Sequence, residues 1–498
     1  MDSTTFPQAQ SMALPQSLNY NLPSSIADET RSYTVNVSPS GVTSVQGQVV
    51  ALPYAAASGG NMGAFPQNII SFDLPSGQSP SVFMDCRETS LTFRLTWVTT
   101  TLAGGASTQA NLIGSASSFF DSLSVYSNNV PLELIQNYNL LFNNMLNNSV
   151  NLTQRNGGCS VMMGCNDNIA KATGIDLYSG ATAKTSYYTF TVPLLSILGL
   201  NNIDNKLFPV GSIGNLNLQL QTANLYPVST YCTTIPTTMP GYSGLLDNFV
   251  LNMKYINIGQ SAYNLLRSAS LNNKWLIKSR TFTASSATIP SGSSGQSNLM
   301  FQIRNSSVNS LFFQFSTNGS LALCPNGNYD AINPMCTSLQ VSIGGGVKVP
   351  QRSLNPTQNP SGVYSMLASA WDASDALHDF GGVVTRSAYG ASISTALSAN
   401  VTDDSIVIPA SALRPTTNGI TPGTIIIANY PNMHYIGFDV SKITSNNLFT
   451  GVNTRSAPPF LECSLGAASA TTLIAYGWAM SDVVLSVDLQ TNQIQAFI

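Results

Sequence analysis

Three strand-like segments of this sequence return in the same order at nearly one offset, and that repeat confines the chain to a narrow set of folds. SLTFRL at 90–95 comes back as SLFFQF at 310–315, an offset of 220. SLSV at 122–125 comes back as SLQV at 338–341, an offset of 216, and each runs on into a turn and a Val-Pro step. FVLNMKYINI at 249–258 is matched in character by VVLSVDLQ at 483–490, about 233 residues on. Single likenesses between strands are common, but a shared order and spacing point to an internal duplication. The reading is two similar β-domains in tandem, joined near residues 259–275.

The texture of the chain agrees. Residues 1–65 are rich in Pro, Ser, Gln and Gly, with one strand-like run, SYTVNV at 32–37, and read as an N-terminal arm that orders where it lies on something. From about residue 68 short β-branched and aromatic runs alternate with Gly, Pro and Asn turns, the pattern of sandwiches and barrels. The expected division is 1–65 arm, 66–260 first domain and 261–498 second domain, all-β with a few short helices. One helix is expected to open at Pro131, after a turn at Asn128-Asn129, because Leu134, Tyr138, Leu141 and Met145 keep helical spacing and Ile135 and Phe142 widen the stripe.

Charge is the anomaly. Only 8% of the residues are Asp, Glu, Lys or Arg, where roughly 25% is typical. A surface of Ser, Thr, Asn and Gln suits a molecule largely covered by partners. The net charge of −3 and the absence of a basic run speak against a grip on nucleic acid. No basic and apolar leader and no apolar run long enough to span a bilayer is expected. Seven cysteines, thinly spread, do not read as a disulfide framework and point to a reducing compartment. The strand LNLQLQT shows the anomaly in miniature: Leu216, Leu218 and Leu220 alternate with Asn217, Gln219 and Gln221, so its open face carries amides instead of charges. Those three amides are the candidate interface residues, since a partner can hydrogen-bond an amide where it would strand an unpaired charge.

Taken together, TVPLLSILGL…NKLFPVGSIGNLNLQLQTANL at 191–225, LLDNFVLNMKYINIGQSAYNLL at 245–266, LQVSIGGGVKVPQRSL at 339–354 and YIGFDVSKITSNNLFTGVNTRSAPPFLECSL at 435–465 resemble the double jelly-roll major capsid proteins of the adenovirus-hexon lineage, of the polinton-like virus, virophage and adintovirus type. The resemblance covers roughly residues 68–498 and implies two eight-stranded jelly-roll sandwiches side by side. It implies a structural, non-enzymatic subunit without cofactors, trimerising into pseudo-hexagonal capsomers that tile an icosahedral shell assembled inside a host cell. The partners it implies are further copies of the chain, a penton or vertex protein and minor capsid proteins; an inner membrane is compatible with it but not indicated. On the same view the loops at 150–186 and 380–430 form an outer crown.

Chemistry-bearing constellations are sparse. The two histidines are His378 and His434, the second expected in a structural or interface role. Asp372, Asp375 and Asp379 beside His378 could share a helix face and hold a hard cation, against which stands the plain reading of a solvated amphipathic face. Cys159 and Cys165 lack the compact second pair that zinc requires and read as free thiols. Trp97, Trp275, Trp371 and Trp478 read as core anchors, with a sugar-stacking platform as the alternative. Two rival functions follow from these features: a secreted β-sandwich adhesin or carbohydrate-binding protein, and a metal-dependent hydrolase centred on Asp372, Asp375 and His378.

Overall fold

Strands form here where apolar and polar residues alternate, and each buries its apolar side between two sheets. In the computed structural model Leu216, Leu218, Leu220 and Thr222 of LNLQLQT are buried and the amides between them half-buried. The structure describes residues 30–47, 59–61, 66–99, 108–112, 114–165, 176–180, 184–201, 207–223, 228–232, 242–270, 273–317, 331–334, 336–344, 346–356, 358–371, 389, 434–441, 450–466 and 472–498.

The first barrel is built from β1 (Arg31–Val37), β4 (Ile69–Asp73), β5 (Val82–Thr99), β7 (Phe120–Ser127), β8 (Val130–Gln136), β10 (Lys184–Pro193), β11 (Leu216–Thr222) and β13 (Tyr242–Asn257). The second is built from β14 (Lys274–Ile289), β15 (Gly295–Met300), β16 (Val308–Thr317), β17 (Cys336–Ile343), β18 (Val347–Leu354), β19 (Tyr435–Asp439), β20 (Phe460–Leu465) and β21 (Leu473–Asp488). Their sheets run β1-β13-β5-β10 and β4-β11-β7-β8 in one barrel, and β14-β21-β16-β19 and β15-β20-β17-β18 in the other. Counted along each barrel's own eight strands, both have the order 1-8-3-6 facing 2-7-4-5, antiparallel throughout. That is jelly-roll wiring, executed twice. The repeated sequences fall on equivalent strands: SLTFRL on β5 and SLFFQF on β16, SLSV on β7 and SLQV on β17.

Smaller elements decorate this frame. β2 (Val45–Gln46) adds to β13 and β22 (Gln493–Phe497) to β21. A third sheet has the order β3 (Gly59–Asn61), β12 (Val228–Cys232), β6 (Thr108–Leu112) and β9 (Asp176–Gly180). It takes one strand from each of the β1–β4, β11–β13, β5–β7 and β8–β10 connections, so those four connections meet at one end of the first barrel. The strand expected at SYTVNV is β1, paired along its length with β13.

Helices are α1 (Tyr138–Ser149), the short turns α2 (Leu152–Gln154) and α3 (Ser160–Met163), α4 (Gly259–Ser268) between the barrels, and α5 (Pro360–Ala370). The expected helix start at Pro131 is corrected. Asn128 and Asn129 both take positive φ (49° and 63°), which turns the chain into a tight hairpin, and Pro131 lies in β8, opposite Tyr126. The helix begins seven residues later, behind Asn137 in the left-handed region. Leu134, counted into its stripe, is 51% exposed on β8. By the same wiring β17, β18 and α5 follow one another in the second barrel.

Each barrel has an aromatic centre at equivalent positions. Phe93 of β5 lies 5.3–5.9 Å from Phe119, Phe120, Phe190 and Phe249. Phe313 of β16, 220 residues on, meets Phe301 at 4.9 Å and Phe438 at 6.3 Å. Trp97, Trp275 and Trp478 are fully buried and Trp371 stacks on Phe312 at 4.0 Å, so the tryptophans are packing residues. The turn Val210–Ser212 passes so close to the 79–82 backbone that a Cβ at Gly211 would overlap the carbonyl oxygens of Ser79 and Val82. Gly211→Ala is therefore expected to cost about 1–3 kcal/mol in chemical denaturation, because the neighbour is backbone and has no rotamer to give.

Candidate assembly surfaces

The two barrels meet through β8 of the first and β14 of the second, each the edge strand of its sheet. Residues 275, 277, 279 and 281 of β14 alternate onto one side, and all four are buried. Trp275 lies 5.7 Å from Phe83 of β5 and edge-on to Tyr263 of α4 at 5.9 Å. The Ser279 hydroxyl donates to the carbonyl of Asn201 (2.9 Å), and the backbone N–H of Arg280 donates to the same oxygen (3.1 Å). Further out, Asn147 of α1 donates to the Tyr435 hydroxyl of β19 at 2.9 Å, and Gly214 donates to the Asn492 carbonyl at 3.1 Å.

Glu133 of β8 sits inside this junction, 1% exposed. Its Oε2 accepts from the Ser196 hydroxyl (2.5 Å) and the Ile197 N–H (3.0 Å), and its Oε1 from the Thr281 hydroxyl across the junction (2.8 Å). Burial pushes its pKa up to about 7; hydrogen bonds from Ser196, Ile197 and Thr281 pull the other way and only partly offset it. The sequence held a signal for this residue, a lone carboxylate in the apolar run VPLELIQ, and the helical reading of that run hid it.

The duplication makes a comparison possible between strands of the same rank. β8 buries Leu132, Glu133 and Ile135, and β14 buries the face just described. Their counterparts are β18 and β1, and neither contains a single buried residue. Val347 of β18 is 64% exposed and Tyr33 of β1 is 46% exposed. Among the described residues, each chain thus covers one pair of complementary edges and leaves the equivalent pair open.

The predicted amide face lies on the outer side of the β4-β11-β7-β8 sheet. Asn217 donates to the Ser71 hydroxyl (2.8 Å) and to Asp73 Oδ1 (2.7 Å), and Gln221 accepts from Ser122 (3.1 Å). These bonds run across strands of its own sheet and do not reach the second barrel. Asn217 and Gln219 also border a depression of about 580 Å³ with Asp73, Leu74, Tyr126, Asn129, Asn215 and Leu216, at the end where β7 turns into β8.

Among the described residues, those considered for chemistry do not assemble into a site. His434 is fully buried, its Nδ1 2.9 Å from the Tyr389 carbonyl and its ring 4.7 Å from that tyrosine's. Burial pulls its pKa down to about 4 against that hydrogen bond, so it is a neutral packing residue at the start of β19. Cys159 and Cys165 are free thiols, and burial pushes both up, Cys165 to about 12. Asp372, Asp375, His378 and Asp379 lie outside the described residues, as does the 380–430 loop apart from Tyr389. Among the described residues no group of three or more His, Cys, Asp or Glu could hold a metal ion, and no helix is long and apolar enough to cross a membrane.

No family model matches the sequence, and no curated protein is significantly similar to it. Solved structures do match in fold. A chain of the Sputnik virophage, from its cryo-EM structure, aligns over 100% of this chain and 93% of its own at 12% identity, with a TM-score of 0.51. A chain of the PBCV-1 virus capsid aligns over 94% and 97% at 11% identity, TM-score 0.51. The mavirus major capsid protein aligns over 90% and 91% at 9% identity, TM-score 0.50. The chain has their fold, the double jelly roll.

Proposed function

We propose that this chain is a major capsid protein, a structural subunit whose three copies join into a capsomer with six barrels and a near-hexagonal outline, which then tiles the shell of a virion. The observation that carries the reading is the unequal cover of equivalent strands. The contact of β8 with β14 joins unlike edges of like units, so it is heterologous, and a heterologous contact repeated by rotation closes into a ring or runs on as a filament. In this reading β18 of one chain takes β1 of the next as β8 takes β14 within the chain. Six such contacts, three within chains and three between, close the ring.

The full-length likeness to capsid chains and the charge content of 8% support the same conclusion, since a surface destined for burial is not built from charges. Asn217, Gln219 and Gln221 are proposed as contacts between neighbouring copies, where their remaining hydrogen-bonding capacity is used. Other capsid components would complete the shell. The end of the first barrel capped by the third sheet is proposed as the outward one, because the long connections gather there.

The test is the mass of the purified protein by light scattering. A species at three times the 52.8 kDa chain, or larger particles, is expected; a monomer that stays soluble at high concentration would overturn the reading and favour a glycan-binding module. Val347→Asp puts an unpaired charge on the open edge of β18 and is expected to weaken association about 100-fold or more. Its thermal unfolding as a monomer should stay near that of the parent, because Val347 is exposed within the chain.

A further inference from the structure

The junction between the barrels holds a carboxyl group for which the assembly reading has no use. Glu133 is buried, and three donors are seated on its two oxygens: Ser196 and Ile197 from the first barrel and Thr281 from the second. Among the described residues no lysine or arginine pairs with it; the ion pairs lie elsewhere, the one that involves β14 being Lys278 with Asp482 at 3.9 Å. A buried carboxylate of this kind is normally paired with a cation, and this one has only neutral donors.

Among the described residues, the elements packed around Glu133 supply no titratable group to offset it. The 194–201 segment, LLSILGLN, and β22, QIQAF, contain no ionisable side chain. On β14, Lys278 and Arg280 alternate to the side opposite Ser279 and Thr281. On β7 the residue opposite Glu133 is Val125, with Asp121 and Tyr126 elsewhere on the strand. On α1, Tyr138 is a phenol pushed up by burial, neutral in the physiological range, and its hydroxyl accepts from the Leu195 N–H at 2.9 Å.

We propose that Glu133 is a proton-operated latch between the two barrels, tight when its carboxyl is neutral and loosened when it ionises. Two of its partners are hydroxyls, Ser196 and Thr281, which can turn from donor to acceptor and so serve the neutral carboxyl as well as the carboxylate. What changes on ionisation is a net charge in a site without a counter-charge. The sign follows from the raised folded-state pKa: the carboxyl is neutral when folded and ionised when unfolded between about pH 4.5 and about pH 7, so protein stability is full at the acid side of that window and is lost as pH rises through about 7. The latch rests on the junction within one chain and stands whichever way the oligomer test falls.

The experiment is thermal unfolding of the full-length protein at matched concentration from about pH 5.5 to about pH 8.5, parent against Glu133→Gln. The parent's midpoint is expected to fall by several degrees as pH rises to about 7 and to level off above it, and the variant's to stay nearly flat, because the amide keeps the shape without the titration. Equal slopes in the two proteins would overturn the proposal. A second readout covers a variant that folds poorly: infrared difference spectra of the parent between about pH 6 and about pH 8 should show loss of a protonated-carboxyl band, shifted towards higher pH in Thr281→Val, which removes the donor from the second barrel alone. A band that does not move in that variant would mean the carboxyl does not sense the junction.

Discussion

Phe93→Ala is expected to destabilise the protein by about 3–5 kcal/mol, among the largest effects available from one side chain. The residue is fully buried at the centre of the first barrel, with four phenylalanine rings within 5.9 Å, two edge-on, one tilted and one stacked. Truncation removes the transfer energy of the ring and its aromatic contacts, worth about 0.5–1.5 kcal/mol each beyond burial. The neighbours belong to β5's flanking strands β10 and β13, to β7 of the opposing sheet and to the turn before it, so the walls of the hole are held by separate elements and collapse poorly. Chemical denaturation should show the loss as a lower midpoint at unchanged slope. Phe313→Ala, its counterpart 220 residues on, should behave alike in the second barrel. A cost below about 1 kcal/mol for both would mean that neither ring is the centre its surroundings make it.

That pair of positions also shows why so much of this fold was legible. Phe93 and Phe313 lie in SLTFRL and SLFFQF, where strand periodicity writes the core face directly into the sequence, and the shared offset carries the same face into a second barrel. The amides of β11 were legible for the same reason: period two assigns Asn217, Gln219 and Gln221 to the outer side whatever the rest of the molecule does. The start of α1 was not. Leu134, Tyr138, Leu141 and Met145 have helical spacing, yet Leu134 belongs to a strand fixed by pairing to β7, a contact that no local window contains. Two asparagines in left-handed conformation make that hairpin, and the sequence offered them only as an ordinary turn.

The junction was the least legible part, because it depends on tertiary neighbours. Glu133 gains its character from Ser196 and Thr281, 63 and 148 residues away. Nor does any local pattern say that β8 is covered and β18 open, since neither VPLELIQ nor VKVPQRSL carries a mark of the neighbour it meets. Duplication predicts two similar surfaces; only the packing within the chain reveals which of them has been spent.

Trp275→Ala tests that packing from the other side and should differ from Phe93→Ala in kind. Trp275 belongs by sequence to the first strand of the second barrel, but its ring faces Phe83 of the first barrel and Tyr263 of the connecting helix. Those ring contacts tie the first strand of the second barrel to the first barrel and to the connecting helix. Removing it is expected to cost about 3–5 kcal/mol, as for any fully buried large aromatic. The loss should appear as a change in cooperativity: a chain that unfolds in one step through a rigid junction should unfold in two once the barrels no longer report on each other. Phe93→Ala leaves the junction in place and should keep the single step, so the two variants separate the strength of a barrel from the strength of its docking. A single unchanged transition in Trp275→Ala would place the adhesion instead in the hydrogen bonds of Glu133, Ser279 and Asn201, and would make the carboxyl latch the principal tie between the two halves of the subunit.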